Sequence, residues 1–85
     1  MIFDKSIAEK ILIYLYEHKD KPIIYISLIY RALPNHAQGT IHINVMKLRK
    51  LGLITCRKKG RIKILNLTEK GLSIAKKLYK IEQEF

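Results

Sequence analysis

The hydrophobic period changes at Gly52, and this limits the folds open to the chain more than any other feature. Before it, Ile41, Val45, Leu48 and Leu51 recur at i, i+4, i+7 and i+10, the spacing of one stripe along a helix. After it, Leu53 to Arg57 and Arg61 to Leu67 are rich in branched and apolar residues, and Lys58-Lys59-Gly60 between them supplies the glycine a tight hairpin needs. Gly52 itself ends the helix. The pattern predicts a helix over about 37–51, then a hairpin over about 53–67.

Charge falls on the same stretch. No Asp or Glu lies between Lys21 and Thr68, whereas Lys21, Arg31, Lys47, Arg49, Lys50, Arg57, Lys58, Lys59, Arg61 and Lys63 all do. The flanks carry seven cations and seven acids, so the whole net charge of +10 belongs to this central segment. Charge runs are often only solvated surface, but clearing every acid from so long a stretch marks a face for a polyanion.

Eighty-five residues make one domain, and a chain of that length buries about 60 to 65% of its unfolded surface, so a second copy would help stability. The single Cys56 excludes an internal disulfide and offers no zinc spacing. No apolar run approaches the ~18 residues of a membrane span, and the start, with Asp4 and Lys5, does not read as a signal peptide. The expectation is a cytoplasmic, nucleoid-associated protein.

Ser6-Ile7-Ala8-Glu9 has the form of a capping box and predicts a helix start. Ile7, Ile11, Leu15 and His18 give that helix one stripe, broadened by Ala8 and Leu12, while Ile13, Tyr14 and Tyr16 need a second contact, with the last helix or another subunit. Lys19-Asp20-Lys21-Pro22 breaks the pattern. Ile23 to Ile26 favours an extended segment that pairs with the hairpin as a third strand. Ser27 would cap a short helix over Leu28 to Leu33, with Leu28, Ile29, Ala32 and Leu33 toward the core, before Pro34-Asn35 ends it. Thr68 caps a last helix over about 69–84. Leu72, Ala75 and Tyr79 form one stripe on it, and Ile74, Leu78, Ile81 and Phe85 form another. The first would pack on its own domain and leave the second as a homodimer interface, the alternative being one wide buried face within a subunit.

The order of elements, with Leu48-Arg49-Lys50-Leu51-Gly52-Leu53-Ile54 and Leu67-Thr68-Glu69-Lys70-Gly71, resembles the winged helix-turn-helix domains of MarR-like and PadR-like regulators. The resemblance covers nearly the whole chain. It implies an α+β, mainly helical fold: a three-helix core, a β-hairpin wing and a C-terminal helix. The first phrase would close the recognition helix and open the wing, and the second would close the wing and open the last helix. The Ile, Lys and Tyr content also resembles that of small regulators from thermophilic archaea or their viruses.

A helical wheel turns Gly39, His42, Ile43, Met46, Lys47 and Lys50 away from the core stripe. In helix-turn-helix docking the first turns of the second helix reach base edges, which makes Gln38, Gly39, Thr40, His42 and Ile43 the candidate base readers. Gln38 suits adenine, Thr40 or Ile43 a thymine methyl, and Gly39 a close backbone approach. Lys47, Lys50, Arg57, Lys58, Lys59, Arg61 and Lys63 are the candidates for phosphates and the minor groove. In the hairpin Ile62 and Ile64 alternate with Arg61 and Lys63, so one face would be buried. Ile64-Leu65 breaks that alternation, which implies either a bulge or a strand buried on both sides. Cys56, in phase with Ile54, reads as a small core residue.

His36 and His42 are six apart, not on one helix face, and no carboxylate neighbours either, so neither a metal site nor an enzyme is expected. No cofactor is expected. A small-molecule effector is not expected either, since so short a chain leaves little room for a pocket of about 300 Å3. The reading is a homodimeric, sequence-specific double-stranded DNA-binding transcriptional regulator acting by promoter occlusion. Architectural DNA binding with little readout, an RNA- or ribosome-associated role and a protein-interaction module are the alternatives.

Overall fold

The computed structural model describes residues 6–84. Phe85, Asp4 and Lys5, on which some of the expectations above rest, lie outside them. Along the chain run helix α1 (Ile7–Glu17), strand β1 (Ile24–Tyr25), helices α2 (Ile26–Ala32) and α3 (Gln38–Lys50), strands β2 (Ile54–Lys59) and β3 (Ile62–Leu67), and helix α4 (Glu69–Gln83). The strands form an antiparallel sheet in the order β1-β3-β2.

Local chemistry sets the helix ends. The Ser6 hydroxyl accepts from the Glu9 backbone N–H and the Glu9 carboxylate accepts from that of Ser6, a complete capping box. At the other end of α1, the His18 Nδ1 hydrogen-bonds the Tyr14 carbonyl at 2.8 Å and its ring stacks on Tyr14. Gly52, at φ +75°, closes α3 through a Schellman motif: its N–H donates to the Arg49 carbonyl and the Leu53 N–H to that of Leu48. Thr68 accepts from the Gly71 N–H and so caps α4.

One core gathers all seven elements. Ile11 and Leu15 of α1, Ile29 of α2, Ile41 and Val45 of α3, Ile54 of β2 and Leu65 of β3 are fully buried. α1 lies along α4, where the Tyr16 and Tyr79 rings meet, so the second apolar side of α1 faces the last helix of its own chain. β1 pairs with β3 through Ile24↔Leu65 and Tyr25↔Ile64, which makes β3 the central strand. The β2–β3 register runs without a break from Ile54↔Leu67 to Lys59↔Ile62. Burial on both faces, not a bulge, therefore accounts for Ile64-Leu65.

The structure corrects several expectations. Ser27 is no cap: α2 begins two residues earlier than expected, at Ile26, with Tyr25 as its N-cap and no side-chain hydrogen bond there. Starting early turns Ile26 and Ile29 inward and leaves Ala32 exposed. Leu51 is 61% exposed, because the backbone leaves the helix there and its side chain no longer follows the stripe. Met46 is half-buried against the core, not outward. The hairpin turns at Gly60-Arg61, with Gly60 at φ +63°, so Lys58 and Lys59 belong to β2. Ile62, opposite Lys59 on the outer face of the sheet, is 49% exposed. In α4 Ala75 is buried and Ile74, Leu78 and Tyr79 are half-buried, while Leu72, expected to pack on its own domain, borders an open cleft and is exposed, as is Ile81.

Candidate nucleic-acid interface

α3 is anchored by Ile41, Val45 and Leu48, and that anchoring fixes what its other sides present. Gln38, Gly39 and Thr40 are exposed in its first turn, and Ile43 is 56% exposed one turn on. A Cβ placed on Gly39 would meet nothing within 4 Å, so this part of the helix borders open space. The N-cap, Ala37, supplies no side-chain hydrogen bond, and no acid occupies the first turn. The first backbone N–H groups, with the positive end of the helix dipole, are therefore left for an outside acceptor. Asn44 is half-buried and donates to the Thr40 carbonyl at 2.9 Å.

Lys47 and Lys50 are exposed further along α3, and Arg57, Lys58, Lys59 and Arg61 are exposed on the hairpin. Lys63 differs. It is half-buried, and its ammonium meets the Nε2 of His42, also half-buried, across 21 residues of sequence. An ammonium can only donate, so in this contact Nε2 is the acceptor. This contact joins the hairpin to the exposed side of α3. The sequence implies separate roles for the two residues; no local pattern signals such a pairing.

His36 has a similar contact, with Lys10 Nζ 3.4 Å from its Nε2, which ties α1 to the turn before α3. The two histidines thus engage lysines of different elements. Among the described residues no three His, Cys, Asp or Glu side chains converge as metal ligands would. Cys56 is half-buried against the core beside Tyr30, whose hydroxyl is pushed above its usual range first by burial and then by that thiol.

One cleft is larger than the chain length led us to expect. It measures about 380 Å3 and lies between the end of α1 and the start of α4, lined by Leu15, Lys19, Ile24, Leu67 and Leu72 among others. The termini of four elements meet there without filling the space.

No protein-family profile matches the sequence, and no curated protein matches it. Solved structures do. AF1382 from Archaeoglobus fulgidus superposes with a TM-score of 0.87 at 26% identity, over 96% of this chain and 90% of that one. ZitR of Lactococcus lactis gives 0.78 at 24% identity, over 94% of this chain and 59% of its own. MepR, a transcription regulator of the Staphylococcus aureus multidrug efflux pump MepA, gives 0.79 at 23%, over 94% and 58%. The fold is a winged helix. In its terms the β2–β3 hairpin is the wing. The chain spans a little more than half the length of the ZitR and MepR chains. Among the described residues no helix is long and apolar enough to cross a membrane.

Proposed function

We propose that this protein is a sequence-specific double-stranded DNA-binding regulator of transcription that acts as a homodimer by occupying a promoter. The Lys63–His42 contact carries the reading, because it sets the cationic wing beside the exposed first turns of the recognition helix. Base-edge donors, free helix N–H groups and wing cations then form one surface without a carboxylate in the intervening sequence. Gln38, Gly39, Thr40, His42 and Ile43 read bases in the major groove. Lys47, Lys50, Arg57, Lys58, Lys59, Arg61 and Lys63 neutralise phosphates and fix the register. The solved neighbours favour the same role, since MepR is a transcription regulator and the similar AdcR of Streptococcus pyogenes is a repressor.

The dimer contact falls to the outer side of α4. Of the second stripe, Ile74, Leu78, Ile81 and Phe85, the first two pack partly on their own core, while Ile81 remains exposed. No catalytic group is needed for this role, and the site of action is the cytoplasmic nucleoid.

Fluorescence anisotropy with two duplexes tests the proposal, one from upstream of the protein's own gene and one shuffled, each at low and near-physiological salt. Tighter binding to the upstream duplex that survives salt supports a sequence-reading regulator. Equal binding that collapses with salt points to an architectural protein, and no binding at low salt removes DNA as the partner.

A further inference from the structure

The strand register divides the sheet into two faces: one lines the main core, and on the other Ile64 is buried among exposed neighbours. Ile54, Cys56, Leu65, Leu67 and Ile24 share the inner face. Arg57↔Ile64, Tyr25↔Ile64 and Lys59↔Ile62 pair on the outer one. There Tyr25 is 37% exposed and Ile62 more so, and Ile23, just before β1, is 39% exposed. Ile64 lies nearly buried in the middle. A cleft of about 370 Å3 opens beside it, lined by Ile23, Ile64, Arg57, Lys58 and Lys59.

Apolar residues in solvent, spread over the outer face of β1 and β3 and bordered by the cations of β2, are what a protein contact uses and a solvated surface does not need. We propose that the outer face of this sheet docks a protein segment that is acidic and carries apolar or aromatic anchors, seated between Arg57 and Lys59 on one side and Tyr25 and Ile23 on the other.

Charge and chemistry select that occupant. A duplex would satisfy Arg57 and Lys59 but gain nothing from Ile23, Ile62 or Tyr25. A second copy docked two-fold on this face would bring Arg57 and Lys59 toward their own images, and like charges oppose it. Single-stranded nucleic acid needs successive aromatic platforms, and here Tyr25 stands among isoleucines. An acidic segment with apolar anchors matches both the cations and the apolar residues they border. The inference goes beyond DNA binding, and its occupant shares only Arg57 and Lys59 with the proposed phosphate contacts.

The probe is a short fluorescein-labelled peptide in which glutamates alternate with leucine and phenylalanine, with a control whose anchors are serine. The wild-type protein should bind the first at least tenfold more tightly than the second. Tyr25→Ser with Ile62→Ser should remove that preference, with the far-ultraviolet circular dichroism unchanged because both side chains are exposed. Arg57→Gln with Lys59→Gln, as a second variant, should weaken the peptide at least tenfold. Saturating duplex should weaken the peptide, because the two share Arg57 and Lys59, but it should not abolish the preference for apolar anchors. Equal binding of both peptides, or no binding, would overturn the proposal. So would loss of self-association in Tyr25→Ser/Ile62→Ser with the peptide unaffected, which would give the face to a second copy. A single-stranded oligonucleotide that displaces the peptide and needs Tyr25 would give it to nucleic acid.

Discussion

Two glycines show how the same substitution has opposite consequences at different positions. A Cβ on Gly71 would lie 1.7 Å from the Leu53 carbonyl oxygen, a backbone atom that cannot swing aside. Gly71→Ala should destabilise the fold by about 1 to 3 kcal/mol or more, read as a lower midpoint in urea. Gly39 has open space around it, so Gly39→Ala should leave stability equal or raise it by roughly 0.5 to 1 kcal/mol, since alanine favours a helix. If the backbone there approaches DNA, the same variant weakens duplex binding. Gln38→Ala or His42→Ala should cost about 1 to 3 kcal/mol on a preferred duplex and leave random DNA unaffected. Equal losses on both would remove these residues from base reading. Tyr30 gives the one pH dependence with a clear sign. Its hydroxyl is raised by burial, so its contribution is fully present below the phenol's unfolded pKa and is lost as pH rises through the folded one. Tyr30→Phe should flatten the alkaline limb of a stability–pH curve.

At the scale of elements, legibility followed the locality of the signal. Ser6 with Glu9, the stripe of Ile41, Val45 and Leu48, and Gly52 each encode their structure within a few residues, and each is readable from sequence. The turn of the wing is not. Lys58 and Lys59 have no strong preference between strand and loop, and their place in β2 is decided by the pairing of Lys59 with Ile62. Ser27 misleads because capping preference is weaker than the gain from burying Ile26 and Ile29. Ile62 misleads because alternation tells which residues share a face, not which face the core covers. The Lys63–His42 contact joins elements through tertiary packing alone, so no spacing announces it. The wing's share in binding is testable on its own. Lys59→Gln with Arg61→Gln should weaken all duplexes alike and flatten the slope of log affinity against log salt by about 2, roughly one for each phosphate no longer neutralised. An unchanged slope would take the wing out of the interface.

For the whole molecule, the decisive matter is how the surfaces of α3 and α4 are held relative to each other. Thr68 donates its hydroxyl to the Gly52 carbonyl and its N–H to that of Leu53, while Lys70 Nζ reaches the Leu51 carbonyl at 3.3 Å. Ile81→Glu, on the exposed side of α4, should shift sedimentation toward the monomer and weaken a two-half-site duplex far more than a single half-site. Loss on both alike would place the dimer contact elsewhere. The joint at residues 51–53 and 68–71 then acquires a metric meaning. On the proposed reading it is the hub of a caliper: one arm is the helix that would enter the groove, the other the helix that would meet its twin. Because glycine at 71 lets the hub close fully, the gap between the two reading heads would be set by close backbone approach and the short Thr68 hydroxyl. Such an instrument can measure only one half-site spacing, so inserting a few base pairs at the operator's centre should abolish binding without altering a single contacted base.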